Sequence, residues 1–257
     1  MAVGVLHPGE MGAALGARLR ERGHDVLWSS EGRSPATRER ARAAGLRDAG
    51  SLAALTGACD LVLSVCPPHA ARDLAAAVAV AGYTGVFVDA NAVSPATVAS
   101  IRNIVEGGGG RFVDGGVVGP PPERAGTTRL FLSGAPADTD AVAAAFAKTV
   151  VETPVLGPEP GRASALKMAY AAWTKGTAAM LLAIRATARA EGVEDALLAE
   201  WARSQPDATG RSEAAAGAAE RKGWRWIAEM DEIAATFAAA GQPDGFHRAA
   251  AEVFRSQ

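Results

Sequence analysis

Val3–Trp28 reads VGVLHPGEMGAALGARLRERGHDVLW, and this stretch decides the fold. Val3 to Leu6 is an apolar run of the length of one buried strand. His7-Pro8-Gly9-Glu10-Met11-Gly12 follows as a turn. A helical pattern comes next, with Met11, Leu15 and Leu19 on one face and Arg18, Arg20 and Arg22 outside it. Gly23-His24-Asp25 ends that helix, and Val26-Leu27-Trp28 opens a second strand. Strand, glycine turn, helix and strand make one βαβ unit. Its right-handed crossover leaves the helix N-terminus aimed at the turn.

A helix start of this kind attracts anions. Its first N–H groups have no partner within the helix, and the helix dipole favours negative charge there. Gly9 and Gly12 let a pyrophosphate approach the backbone, while Ala13, Ala14 and Gly16 allow the helix to lie close on the sheet. The dinucleotide pattern is G-x-G-x-x-G. Here His7 stands in the place of the first glycine. The cofactor-binding candidates from this turn are His7, Pro8, Gly9, Glu10, Met11 and Gly12.

The composition narrows the classes. A length of 257 residues suits one large or two ordinary domains, and 49% hydrophobic with 21% charged residues suits a globular chain with a full core. The net charge of −2 and the lack of a basic block argue against nucleic-acid binding as the main role. Cys59 and Cys66 are the only cysteines, and the four histidines are scattered, so neither a disulfide framework nor a metal site is expected. The longest uncharged run, Leu74–Val88, is too short and too glycine-interrupted to span a bilayer. With no signal-peptide layout at the first strand, a cytoplasmic protein is expected.

Further along, β and α patterns alternate. Strands are expected at Leu61–Val65, Val86–Asp89, Arg111–Val118, Arg129–Ser133 and Val150–Leu156. Helices are expected at Thr37–Ala44, Ala70–Val80, Ala96–Glu106 and Asp138–Lys148, with Ser94 and Pro95 opening the third of these. Leu46–Ala58 reads as a connector with a helical turn. This alternation predicts a Rossmann-type, doubly wound α/β domain over 1–157. Gly157-Pro158-Glu159-Pro160-Gly161 marks a boundary. Residues 158–257 then read as an all-helical domain. It opens with one long segment, Arg162–Glu191, about 45 Å at 1.5 Å per residue, followed by helices near 195–204, 207–221, 224–240 and 245–255.

Several phrases carry a resemblance. They are the glycine turn with Met11, the Gly23-His24 pair, Glu31-Gly32-Arg33-Ser34 with Thr37, and Asp89–Pro95 (DANAVSP). They continue with Gly119–Gly134 (GPPPERAGTTRLFLSG), Lys167–Gly176 (KMAYAAWTKG) and Glu229–Ala234 (EMDEIA). In this order they resemble the β-hydroxyacid dehydrogenases, relatives of 6-phosphogluconate dehydrogenase. More narrowly, they resemble the subgroup with a short helical C-terminal domain of unassigned function. The resemblance implies NADP or NAD, hydride transfer at a carbon bearing oxygen, and a dimer built on the long helix. Two departures stand out. Ala171 occupies the position where better-known members carry an asparagine four residues after the catalytic lysine. Val118-Gly119-Pro120-Pro121 replaces their carboxylate-binding glycine pair, which leaves Gly119 and Pro120 as the substrate-binding candidates there.

Reducing a carbonyl requires a proton and positive charge at the developing alkoxide and fixed anchors for the rest of the substrate. Lys167 fits the first role: it lies early on the long helix, just past the boundary, where a side chain can face an interdomain cleft. Asn91 follows a strand C-terminus, and its amide suits a substrate hydroxyl or the cofactor; an Asx turn is the equal alternative. Tyr170 could lend a hydroxyl in place of the missing asparagine, although its stripe position with Trp173 favours core packing. Thr174 and Lys175 are further substrate-side candidates. Trp226, Glu229 and Met230 are expected to close the pocket from a partner subunit. Cys66 and Pro67 end a central strand beside the expected nicotinamide ribose.

Past the second strand, Ser30, Arg33, Ser34 and Arg38 suit a 2′-phosphate, against which Glu31 dissents, so NADPH is expected over NADH. The leading reading is an NADP-dependent oxidoreductase acting on a small hydroxy or oxo substrate. An imine reductase on the same scaffold and a non-catalytic NADP-binding sensor are the alternatives. The expected partners are a small-molecule substrate and a second copy of the chain, joined through the helix over 162–191; neither nucleic acid nor membrane is expected.

Overall fold

The structure, a computed structural model, describes residues 1–256. The chain forms two compact units, Met1–Lys167 and Met168–Gln257. The first is built on one eight-stranded sheet. In chain order its elements are β1 (Ala2–Val5), α1 (Glu10–Glu21), β2 (Asp25–Trp28), α2 (Pro35–Ala43), β3 (Arg47–Asp48) and α3 (Leu52–Ala58). They continue with β4 (Leu61–Ser64), α4 (Ala71–Val80), β5 (Val86–Asp89), α5 (Pro95–Gly107), β6 (Arg111–Val118), β7 (Thr128–Gly134), α6 (Pro136–Phe146) and β8 (Val151–Glu152). The strand order is β3-β2-β1-β4-β5-β6-β7-β8, and every neighbouring pair is parallel except β6 and β7. This is the doubly wound sheet expected from the β-α alternation.

The central strands β1, β4 and β5 are short and almost continuously apolar because helices cover both faces. Val3, Val5, Leu61, Leu63, Val86 and Val88 join Leu15 and Leu19 of α1 and Val142 of α6 in one core. The alternate residues Val62, Phe87 and Phe112 join Leu55 of α3, Val78 of α4 and Ile101 of α5 in the other. Period-two alternation thus assigns each side chain to one of two cores rather than to core or water. Ser94 caps α5 as expected, and Ser34 and Ser51 cap α2 and α3 in the same way: the three side chains accept the backbone N–H groups of Thr97, Thr37 and Ala54.

Register places the strand ends. Val5 is opposite Leu63, Ser64 opposite Asp89, and Asp89 opposite Asp114. Cys66, Asn91 and Gly116 stand two residues beyond Ser64, Asp89 and Asp114, and Pro8 three beyond Val5, whose partner Leu63 precedes Ser64. The switch in strand order falls between β1 and β4, where open α/β sheets bind ligands at their carboxyl ends.

Helix α7 (Arg162–Ala190) begins in the first unit. The second unit holds the rest of it with α8 (Glu194–Ser204), α9 (Ala208–Ala239) and α10 (Gly245–Arg255). Three expectations need correction. The connector at 46–58 contains β3, which gains its place only by pairing with β2. The strand expected over Val150–Leu156 is ordered as a ladder only at Val151–Glu152, with a single further bridge from Val155 to Leu132. The helices expected at 207–221 and 224–240 are one helix of 32 residues. An interior glycine such as Gly223 costs about 1 kcal/mol in a helix. Here Ala215, Ala219, Gly223, Met230, Ile233 and Ala234 form one buried stripe that continues through it.

Helix α10 is tied to α9 by two aromatic contacts. Phe254 meets Trp226 edge-on at 5.1 Å, and His247 meets Phe237 at 4.2 Å. The buried His247 Nδ1 has no hydrogen-bond partner. Burial pushes the imidazole below its usual value near 6.5, against the opposing pull of the Asp244 carboxylate. A group kept neutral in the fold but free to protonate when unfolded adds stability that is complete above that usual value and is lost as pH falls through it. Denaturant midpoints should therefore drop between pH 8 and pH 5 more steeply for the wild type than for His247→Gln; identical slopes would clear His247 of any part.

Candidate active site

The turn between β1 and α1 is built on glycine for two different reasons. A Cβ on Gly12 would stand 2.4 Å from the His7 carbonyl oxygen, so the turn itself demands glycine there. A Cβ on Gly9 would meet only the His7 ring, at 3.7 Å, so the turn does not demand it. That open side lies over the start of α1, whose N-cap is Gly9 with no side-chain cap. The space and the uncapped amides suit a phosphate.

His7, the departure from the glycine fingerprint, has a defined role. Its Nδ1 lies 2.9 Å from Nη1 of Arg33. A guanidinium is always a donor, so this nitrogen is the unprotonated acceptor. Arg33 Nη2 donates to the Leu6 carbonyl at 3.0 Å, and its buried Nε has no partner. Arg33 thus lies across the end of β1. Arg38 donates to the Ser30 and Arg33 carbonyls, at 2.7 and 3.3 Å. Arg40 reaches the Pro8 carbonyl at 3.3 Å. Arg33 and Arg40 therefore reach the glycine turn itself, and Arg38 braces the loop that carries Arg33.

Two of the other expected phosphate contacts have duties within the protein. Ser34 caps α2, and Ser30 is buried with its N–H donating to the Asp48 carboxylate at 3.2 Å. Burial alone would raise the Asp48 carboxyl, but its bonds from Ser30 and Gly50 and the nearby Arg38 hold it below the usual carboxylate range. Asp48 is a residue that the sequence reading missed, because β3 is visible only through its pairing. Glu31 is exposed.

At the level of the strand ends, Asn91 is buried and fully engaged. Its Oδ1 accepts the Cys66 N–H at 2.6 Å, and its amide donates to Ser64 Oγ at 3.0 Å and to Asp89. It braces the end of β4 against the end of β5, in place of the Asx turn expected as its alternative role, and Ser94 caps the next helix. It also fixes Cys66-Pro67, the loop expected beside the cofactor. Burial, with the Asp89 carboxylate nearby, pushes the Cys66 thiol up to about 12, so it stays protonated and is no nucleophile.

Lys167 is half-buried on the second turn of α7. Its stem lies over Gly116 of β6: a Cβ built there would come within 3.2 Å of the Lys167 Cβ and 2.5 Å of the Ala163 carbonyl. At about 4.8 Å per strand, Gly116 stands roughly 14 Å across the sheet from the glycine turn, at the same level. Beyond β6, Gly119 takes φ +116°, and a Cβ there would strike the Thr127 carbonyl at 2.1 Å. Thr128 Oγ1 donates to the Pro120 carbonyl at 2.7 Å, so the Gly119-Pro120 corner is held stiffly.

The remaining candidates belong to the second unit. Tyr170 and Trp173 are 45% and 64% exposed, which corrects their expected core packing: the inward stripe runs instead through Met168, Ala171 and Ala179. Thr174 is exposed, with its hydroxyl turned back on the Tyr170 and Ala171 carbonyls at 3.4 Å. Lys175 pairs with the buried Glu229, and Met230 is buried. Glu229 and Met230 are thus used inside their own unit rather than held out for a partner. Among the described residues no group of three His, Cys, Asp or Glu side chains is placed to hold a metal ion, and no helix is long and apolar enough to cross a membrane.

Residues 2–157 match the family described as the NAD binding domain of 6-phosphogluconate dehydrogenase, and residues 188–257 match a domain of unknown function, DUF1932. The first match covers more than half of the chain, and the protein belongs to that family. An uncharacterized 28.5 kDa protein in the 7S RNA 5′ region of Methanothermus fervidus is 29% identical over 198 residues, 77% of this chain and 75% of that one. The solved structure of the conserved protein MTH1747, of unknown function and described as similar to 3-hydroxyacid dehydrogenases, is 30% identical. It superposes with a TM-score of 0.72 over 100% of this chain and 96% of its own. An imine reductase from Streptomyces aurantiacus shares the fold at 22% identity, with a TM-score of 0.62 over 100% and 94% of the two chains. By family the protein is an NAD(P)-dependent oxidoreductase, and the resemblance read from the sequence holds at that level.

Proposed function

We propose that the protein uses NADPH to reduce a small oxo substrate, or in reverse oxidises the matching alcohol, with Lys167 as the proton donor. The observation that carries this reading is the seating of Lys167 over Gly116, level with the strand ends that hold the glycine turn and the Cys66 loop. Bound nicotinamide would supply the hydride. The chain's own part is to bind, orient and protonate. The amides at the start of α1 and the open side of Gly9 receive the pyrophosphate. Arg33, with its unpartnered Nε, and Arg38 receive the 2′-phosphate. Asn91 fixes the Cys66 loop against which the nicotinamide end lies, and Lys167 gives a proton to the alkoxide as it forms.

A second reading rests on Ala171, which is buried where a polar helper of the lysine would stand one turn further on. A protonated imine brings its own proton and does without that pair. The same scaffold then acts as an imine reductase.

The homodimer is part of the proposal. In the second unit Trp173, Met180, Ile184, Trp224 and Phe246 are exposed, and Met180 and Ile184 line an apolar groove of about 450 Å³ with Val193 and Leu197. Side chains of that size call for a covering surface, and a second α7 face supplies one.

Three measurements test these statements. Lys167→Met should lower single-turnover hydride transfer by about two to four orders of magnitude and leave NADPH affinity unchanged. Unchanged transfer would exclude the lysine and favour the imine reading. In binding titrations NADPH should be held more tightly than NADH, and Arg33→Ala should weaken NADPH far more than NADH; equal affinity in the wild type sinks the preference. Sedimentation at micromolar concentration should give a dimer, and a lone 26.1 kDa species would refute it.

A further inference from the structure

Asp114 is fully buried in the middle of β6, and each of its donors is an uncharged group. Its Oδ2 accepts the backbone N–H groups of Gly161, Ala163 and Ser164 at 2.8, 2.9 and 3.1 Å, and the Ser133 hydroxyl at 2.8 Å. Its Oδ1 accepts the Ser164 hydroxyl at 2.6 Å. Ser133 Oγ in turn accepts a second bond from Ala163 N, at 3.1 Å. The carboxylate thus takes up the orphan donors of the first turn of α7, and its charge lies at the positive end of that helix. Charge-assisted bonds of this kind are short and directional, and five of them meet at one side chain.

The chemistry stands one turn further on. Ser164 and Lys167 are three residues apart, on the same helix face. Asp114 and Gly116 are two residues apart, on the same sheet face. The carboxylate therefore grips the helix at Ser164, while Gly116, two residues along the strand, sets how closely Ala163 and Lys167 approach. Both constraints act on the same turn. We propose that Asp114 is the positioning residue of the active site: held by its carboxylate, the first turn of α7 fixes where the Lys167 ammonium stands, with Gly116 as the floor beneath it. Asp114 does not touch substrate or cofactor; it acts through Lys167. This inference rests on the role proposed above for that lysine.

A double-mutant cycle separates positioning from simple folding support. Asp114→Asn puts an amide donor among donors and should displace the turn. Hydride transfer should fall by about 100-fold, the size expected of a catalytic group misplaced by about 1 Å, with NADPH affinity within two-fold of wild type. Combined with Lys167→Met, it should add almost no further loss. Ser164→Ala, which removes a donor and leaves the carboxylate, should give a smaller loss with the same pattern and serves if Asp114→Asn does not fold. Amide exchange at Ala163 and Ser164 should quicken in both variants. Additive losses in the cycle, a drop in NADPH affinity equal to the drop in rate, or unchanged exchange in that turn would each overturn the proposal. If Lys167→Met alone leaves transfer intact, the catalytic role of the lysine fails, and the positioning role with it. Intact transfer in the Asp114 variants beside a crippled Lys167→Met would defeat the positioning role only.

Discussion

A carboxylate buried without a neighbouring cation is expensive unless every lone pair finds a donor. Asp114 meets that condition by gathering five donors from two segments far apart in sequence. The rest of the first unit depends on it in a specific sense. The sheet would form from its apolar strands alone, but the chain that leaves β8 through Pro158-Glu159-Pro160 must return to β6 at one place. The unsatisfied helix start and the unsatisfied carboxylate each supply what the other lacks. Gly116 then permits the close approach that the bonds require, since a side chain there would collide with the Ala163 carbonyl.

The same economy governs the opposite end of the row of strand termini. A fingerprint glycine is replaced by His7, and the imidazole that results accepts a bond from Arg33. The arginine, fixed also by the Leu6 carbonyl, becomes part of the turn. The cationic side of the site is therefore organised by the backbone: carbonyls of Leu6, Pro8, Ser30 and Arg33 hold Arg33, Arg40 and Arg38 in place. Carbonyl acceptors do not cancel guanidinium charge as the carboxylates of the surface pairs Arg42–Glu39 and Arg47–Asp25 do, and of the three arginines Arg38 also has the Asp48 carboxylate nearby. A local excess of positive charge beside a helix N-terminus is what a dinucleotide phosphate requires.

Patterns of short range were legible in the sequence. The first strand, the cap at Ser94 before Pro95, and the glycine turn before an amphipathic helix each depend on a few neighbouring residues, and each lies where the sequence places it. The β-α alternation carried the doubly wound sheet and the absence of strand patterns after Gly161 carried the helical region, since both follow from periods of two and 3.6. Lys167 was legible through its place early on the long helix and through the resemblance, not through its surroundings.

What the tertiary structure alone decided is which side chains are already committed. Asn91 looked available because its type can donate and accept; its engagement with Cys66, Ser64 and Asp89 depends on the register of β4 against β5. Asp48 and β3 gain meaning only from pairing with β2. Glu229 is occupied by Lys175, a partner 54 residues away. Tyr170 and Trp173 share a helical stripe, yet the buried face runs through the smaller Ala171 and Ala179, because close helix packing selects small side chains that periodicity cannot rank. Above all, Asp114 reads in the sequence as one polar residue in an apolar strand. Its donors lie at Ser133 and at Gly161, Ala163 and Ser164, and only the folded chain brings them to it, because hydrogen bonding acts over about 3 Å and sequence distance says nothing about that.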